Sequence, residues 1–226
     1  MMGKILIPAS KAEDWKIFLA DPIKHWKRGY SARSIAYSWQ EADGMPGEIL
    51  SVLNQIPSLA GLETIFAIPE HKVPLPGGSR ESQNDVWVLA ETENALVSIA
   101  VEGKVSESFD VTIGEWFKNP SRGKEIRLKF LCNEIGIEFP PPDNIRYQLL
   151  HRTASAVIEA KRFRTSEAVM VVHTFSRTNE WLEDYIEFLS LYGLEGGVDQ
   201  ASSTQIEPNI ILHFAWVHGD EKYLEA

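Results

Sequence analysis

Apolar and polar positions along the chain sort into strand-like and helix-like segments. Segment 62–68 reads as a strand that ends in a loop carrying Pro74, Pro76, Gly77 and Gly78. Segments 85–90 and 95–101 are rich in Val, Ile, Leu and Trp and are joined by polar residues 91–94, which predicts a hairpin. Residues 168–175 and 210–217 read as two further buried strands, and a polar loop is expected from 193 to 208. A helix is expected from Ser10 to Asp21, because Ser10 and Glu13 stand at capping-box spacing and Pro22 ends the run. Ser31 caps a second predicted helix that runs through Tyr37, Trp39 and Glu41 to Gly44, and Pro46 opens another turn or two as far as Ile56. Further helices are expected at 113–117, from Asn119 and Pro120 to about 135, from a cap at Asp143 to about 162, and at 179–192. No repeat, low-complexity tract or linker interrupts this pattern, so residues 1–226 are expected to form a single mixed α/β domain.

Composition narrows the picture. A chain of 226 residues that is 44% hydrophobic can bury a large core, and seven Trp, six Tyr and ten Phe exclude general disorder. Lys plus Arg is 22 against 32 Asp plus Glu, a formal charge of −10 that repels polyanions at long range, so a nucleic-acid partner needs a local basic groove. The lone Cys132 excludes an intramolecular disulfide and a four-thiolate zinc site; its apolar surroundings read as core filler. A reducing compartment follows, and a cytoplasmic location is expected. No apolar stretch approaches the roughly 18 residues of a membrane span, and the run at 5–7 is too short for a signal peptide, so no membrane partner is expected.

Candidate chemistry lies on the predicted hairpin. A turn centred between Glu93 and Asn94 sets Asp85 directly opposite Glu102, with Cβ atoms about 4.5 to 5.5 Å apart, where like charges destabilise unless a cation lies between them. Side-chain alternation puts Glu102 and Lys104 on one face and leaves Val97, Ile99, Val101 and Val105 on a wholly apolar face that must be buried. Magnesium needs few protein carboxylates and keeps several waters, so two acidic side chains plus the Glu102 or Gly103 carbonyl would suffice. Such an ion, with Lys104 beside it, supplies what phosphodiester hydrolysis needs: a nucleophilic water and neutralised phosphoryl charge.

Asp85 followed by Glu102-Gly103-Lys104 on a hairpin resembles the PD-(D/E)XK phosphodiesterase superfamily, which includes restriction endonucleases and lambda-exonuclease-like enzymes. The resemblance implies a restriction-endonuclease-like α/β core of helix, three-strand meander, helix and strand over about 31–176. A helical insertion at about 106–142 and a C-terminal helix-strand extension at about 177–226 complete the expected fold. It implies Asp85, Glu102 and Lys104 as catalytic residues and Mg or Mn as cofactor, held by Asp85, Glu102 and Gly103. Two weaker transfers are Glu41 as a further acidic metal ligand on the first helix and Gln148 as a supporting catalytic residue on the second. Ser82-Gln-Asn84, not proline, precedes the aspartate, and the helical insertion separates Lys104 from the second core helix. The activity implied is hydrolysis of nucleic acid, DNA ahead of RNA.

A reading from a different class stands beside it. An exposed Glu102–Lys104 pair at a sheet edge needs no function, and a charge of −10 suits a non-catalytic nuclease-fold protein that binds a protein partner, or a second copy of itself, through an acidic surface. The basic groups Lys24, Lys27, Arg28 and Arg33, and Lys161, Arg162 and Arg164, read first as solvated helix ends, and the 77–80 turn as structural. His213 and His218 point to opposite sides of a strand and cannot share a metal there; His173 reads as a packed residue.

Overall fold

The computed structural model describes residue 5 and residues 9–226. An antiparallel meander of β1 (Glu63–Val73), β2 (Ser82–Glu91) and β3 (Leu96–Lys104) forms half of one sheet. Next to β3 lies β4 (Glu167–Thr174), parallel to it, then β6 (Ile210–His218), parallel to β4, and finally β5 (Gln200–Glu207), antiparallel to β6 at the edge. The strand order is therefore β1-β2-β3-β4-β6-β5. Parallel strands need a crossover, and between β3 and β4 it carries α4 (Ile113–Trp116), α5 (Arg122–Ile135) and α6 (Tyr147–Phe163).

Both faces of the sheet are covered, which is why its central strands read as nearly continuous apolar runs. Val86, Val97, Ile99, Val101, Val169 and Val171 pack on Ile35 and Trp39 of α2 (Ser31–Ala42) and on Ile49 and Leu53 of α3 (Gly47–Leu53). On the other face Ala100, Met170, Val172 and Phe214 meet Leu128 of α5, Leu149 and Val157 of α6, and Phe188 of α7 (Leu182–Ser190). The result is a three-layer α/β arrangement.

The β2–β3 register is the one expected. Residues 92–95 form the loop, closed by Thr92 N–H donating to the Ala95 carbonyl at 2.8 Å, and Val86 pairs with Val101. Helix starts differ from expectation. Residues Ala12–Phe18 form a 3-10 helix capped by Asp14, whose Oδ2 accepts from Ser10 N at 2.9 Å, while Glu13 is drawn away to the Tyr37 hydroxyl at 2.6 Å. Ser31 begins α2 without capping it; its N–H and hydroxyl both donate to Glu107 Oε1, at 2.9 and 3.0 Å. Ser121, not Asn119, caps α5, and α6 starts after Arg146, because residues 143–144 form a turn, closed by Ile145 N–H donating to the Pro142 carbonyl at 3.2 Å, and residue 146 pairs with 112 in a bridge. The loop expected at 193–208 contains β5, an edge strand. Of the apolar run at 5–7 only Ile5 is described; residues 6 and 7 lie outside the described residues. Among the described residues no helix is long and apolar enough to cross a membrane.

Candidate active site

Strand register brings three carboxylates into one row. Pro69↔Val86 and His71↔Asn84 bracket Glu70 opposite Asp85, and Val86↔Val101 leads one step on to Asp85 opposite Glu102. Glu70 sits in β1 with a left-handed φ of 55°, a conformation an L residue adopts at a cost. The row opens on a cavity of about 610 Å³ whose floor includes Glu102, Lys104, Gln148 and Arg152.

Glu102 is the hub. Only 3% exposed, it accepts at Oε1 from Lys104 Nζ (2.6 Å) and Gln148 Nε2 (2.8 Å), and at Oε2 from Arg152 Nε. Lys104 Nζ also donates to Gln148 Oε1 at 3.1 Å. An ammonium has three donors; this network uses two, and Nζ also lies over the Phe109 ring, 4.8 Å from its centre. Gln148 and Arg152 stand one turn apart on the same face of α6, which is why one helix supplies both. Arg152 is anchored through Nη1 to Ser82 Oγ at 3.2 Å, and Ser82 is held in turn by Ser155 and His151.

Gly103 does not reach the cavity with a side chain but donates its N–H to Asp85 Oδ2 at 2.6 Å. The Lys104 carbonyl accepts from Phe175 N at 2.8 Å, so alternation along the strand turns the polar groups of Gly103 the other way, toward β2. Of the two carbonyls considered from sequence, only that of Gly103 faces the Asp85 side.

Charge is unevenly neutralised. Burial alone would raise the Glu102 carboxyl, but Arg152 and Lys104 outweigh it and hold it below the ordinary range. Asp85 and Glu70 form no ion pair among the described residues, and their bonds from Gly103 N and Gln83 Nε2 do not offset desolvation: burial, then the charge of Glu102, pushes Asp85 up to about 7, and burial, then the charge of Asp85, pushes Glu70 up to about 8. Within the row three carboxylates face two fixed cations, one negative charge in excess when all are ionised, and Glu107, Asp110 and Lys24 line the same cavity. The surplus resides on Asp85 and Glu70, and a proton or a metal cation relieves it. Among the described residues no group of three or more His, Cys, Asp or Glu is arranged to hold a metal ion. The donor set nevertheless suits a hard divalent ion bound by one or two carboxylates that fills its remaining positions with water or phosphate oxygen.

Glu41 is a correction. Its side chain is 62% exposed, pairs with Lys222 at 2.9 Å and does not line the cavity. Trp39 faces the core, and two further residues turn a helix by about 200°, which swings Glu41 to the outside. Helix α2 reaches the cavity with its first turn, at Ser31 and Ala32. Glu70 and Arg152 were not anticipated; Arg152 was within reach of sequence reasoning, four residues after Gln148. Of the basic groups, Lys24 joins the cavity rim, whereas Arg33 lies over the rings of Trp26 and Tyr37, and Lys161 pairs with Glu134 and Glu207. His173 is fully buried beside Trp39 and Glu48, and burial pushes the Cys132 thiol up to about 11, as befits core residues.

Fold and site together define a three-layer α/β protein with an acidic cavity floored by a lysine and an arginine. The chain belongs to the family described as a domain of unknown function, DUF6946, whose family model matches residues 8–221. No curated protein and no solved structure matches it.

Proposed function

We propose that the cavity hydrolyses phosphodiesters in nucleic acid, DNA ahead of RNA, with magnesium or manganese. The observation that carries this reading is the meeting of Asp85, Glu102, Lys104 and Gln148, from two strands and one helix, at a single cavity. The element order adds support: α2, the β1 to β3 meander, α6 and β4 follow the order of a restriction-endonuclease-like core, with α4 and α5 as its helical insertion and α7 through β6 as its extension.

Asp85, Glu70 and the Gly103 carbonyl would hold the ion, with Glu70 in the place expected for Glu102, whose two oxygens are taken by Lys104, Gln148 and Arg152; the ion would supply charge neutralisation and a more acidic bound water. Lys104 would offer its third donor to a phosphoryl oxygen or the attacking water. Glu102 and Gln148 fix the ammonium in place, so no reorganisation is needed as charge develops. A second reading, a non-catalytic relative that binds a protein partner, is favoured by one observation: both oxygens of Glu102 are already held by protein donors.

Incubation with labelled single-stranded DNA, duplex DNA and RNA in magnesium or manganese separates the two. Cleavage by the wild type that falls by about 10²-fold or more in Lys104→Ala and in Asp85→Asn is expected. Cleavage that persists in both variants, or none of any substrate by a folded wild type, rejects the nuclease.

A further inference from the structure

We propose that Arg152 stands where a second metal ion would otherwise sit beside Glu102, so that the site binds one divalent cation and not two. The proposal rests on the metal-dependent reading of the cavity. In two-metal sites the ions lie about 3.5 to 4 Å apart and share the surrounding oxygens. Here Glu102 Oε2 is taken by the Arg152 guanidinium and Oε1 by Lys104 and Gln148, so the central carboxylate of the row has no oxygen turned to a second ion.

Nor can Arg152 readily step aside. It is only 7% exposed, and its Nη1 is tied to Ser82 Oγ, which Ser155 and His151 also grip. A planar guanidinium held at several points loses little entropy in that geometry and resists rotation out of it. A dication placed against it would face direct repulsion in a poorly solvated site.

Arg152 is thus a positioning residue: it fixes Glu102 for Lys104 and sets the number of ions.

The test counts manganese per chain by calorimetry and by electron paramagnetic resonance, in the wild type, Arg152→Lys and Arg152→Gln, after circular dichroism confirms that each is folded. One isolated Mn ion in the wild type and in Arg152→Lys is expected, and in Arg152→Gln a second ion whose spin coupling to the first broadens the spectrum. A merely structural arginine would not produce that coupling. Two coupled ions in the wild type, or one isolated ion in a folded Arg152→Gln, overturn the proposal while leaving the metal reading intact. If Arg152→Gln does not fold, the wild-type count and the Arg152→Lys count decide alone. No ion in the wild type at millimolar manganese, with or without a DNA oligomer, overturns both.

Discussion

A Cβ on residue 103 would meet Ile35 Cδ1 at 2.4 Å and Asp85 Oδ2 at 3.2 Å, so a side chain there would press on the α2 residue and the aspartate at once. Its absence of a side chain lets α2 close on the sheet while its N–H holds the aspartate. Gly103→Ala forces one of these neighbours to move. We expect a loss of about 1 to 3 kcal/mol in urea unfolding, the usual cost of overpacking, together with weaker manganese binding. A variant as stable as the wild type with unchanged binding would show that neither contact matters. The same residue scale explains the fate of the acidic candidates. Asp85 and Glu102 were legible because a short loop fixes their register, whereas Glu41 was assigned to the site only by its place on the first core helix. Its angle from Trp39 already argued for the outside. Glu70 was hidden, since nothing in its own neighbourhood distinguishes it from the other acidic residues.

Among the elements, α2 depends on a carboxylate from a distant loop. Glu107 Oε1 accepts from the Ser31 N–H and hydroxyl while Oε2 accepts from Val105 N at 3.0 Å, tying the helix start to the end of β3 beside Lys104. Both its charge and its acceptors favour a helix N-terminus. Glu107→Ala should cost about 0.5 to 2 kcal/mol in urea unfolding, the range for a lost cap, and Glu107→Gln, which keeps an acceptor, should cost less. Equal losses in the two would mean that charge alone is responsible. The β2–β3 hairpin was readable because residues 92–95 leave little freedom of register. The β1–β2 pairing was not: the connection spans 74–81, and the register shifts between Thr64 and Phe66. The shift lies beyond Glu70; what conceals its partnership with Asp85 is the eight-residue connection and the strand's continuation through Pro69, past the expected end at 68. Strand β5 escaped for another reason, being polar and partly exposed along its length, so that it lacks the apolar signature of the central strands.

Across the whole molecule, the surplus charge of the carboxylate row couples stability to pH and, in the reading proposed above, would couple it to metal. Glu70 and Asp85 have ordinary values of 4.5 and 3.8 and are raised to about 8 and about 7 in the folded chain. Between those limits the folded state binds more protons than the unfolded state, so stability falls as pH rises. The contribution is full below about pH 4, where both states are protonated, and is lost as pH climbs through the folded values. Thermal midpoints of the wild type relative to Glu70→Gln should therefore decline from pH 5.5 to pH 8.5, by about 2 to 4 °C for each kcal/mol lost. In the metal-dependent reading proposed above, magnesium would compete with the proton for the same oxygens. Ten millimolar should thus raise the wild-type midpoint at pH 8.5 and leave it nearly unchanged at pH 5.5, by the ordinary linkage of binding to folding. Glu70→Gln should lose most of the magnesium effect as well as the pH slope, because one substitution removes both the repulsion and a ligand. A Glu70→Gln variant that kept the full magnesium effect would place the ion elsewhere and separate the acidic row from metal binding.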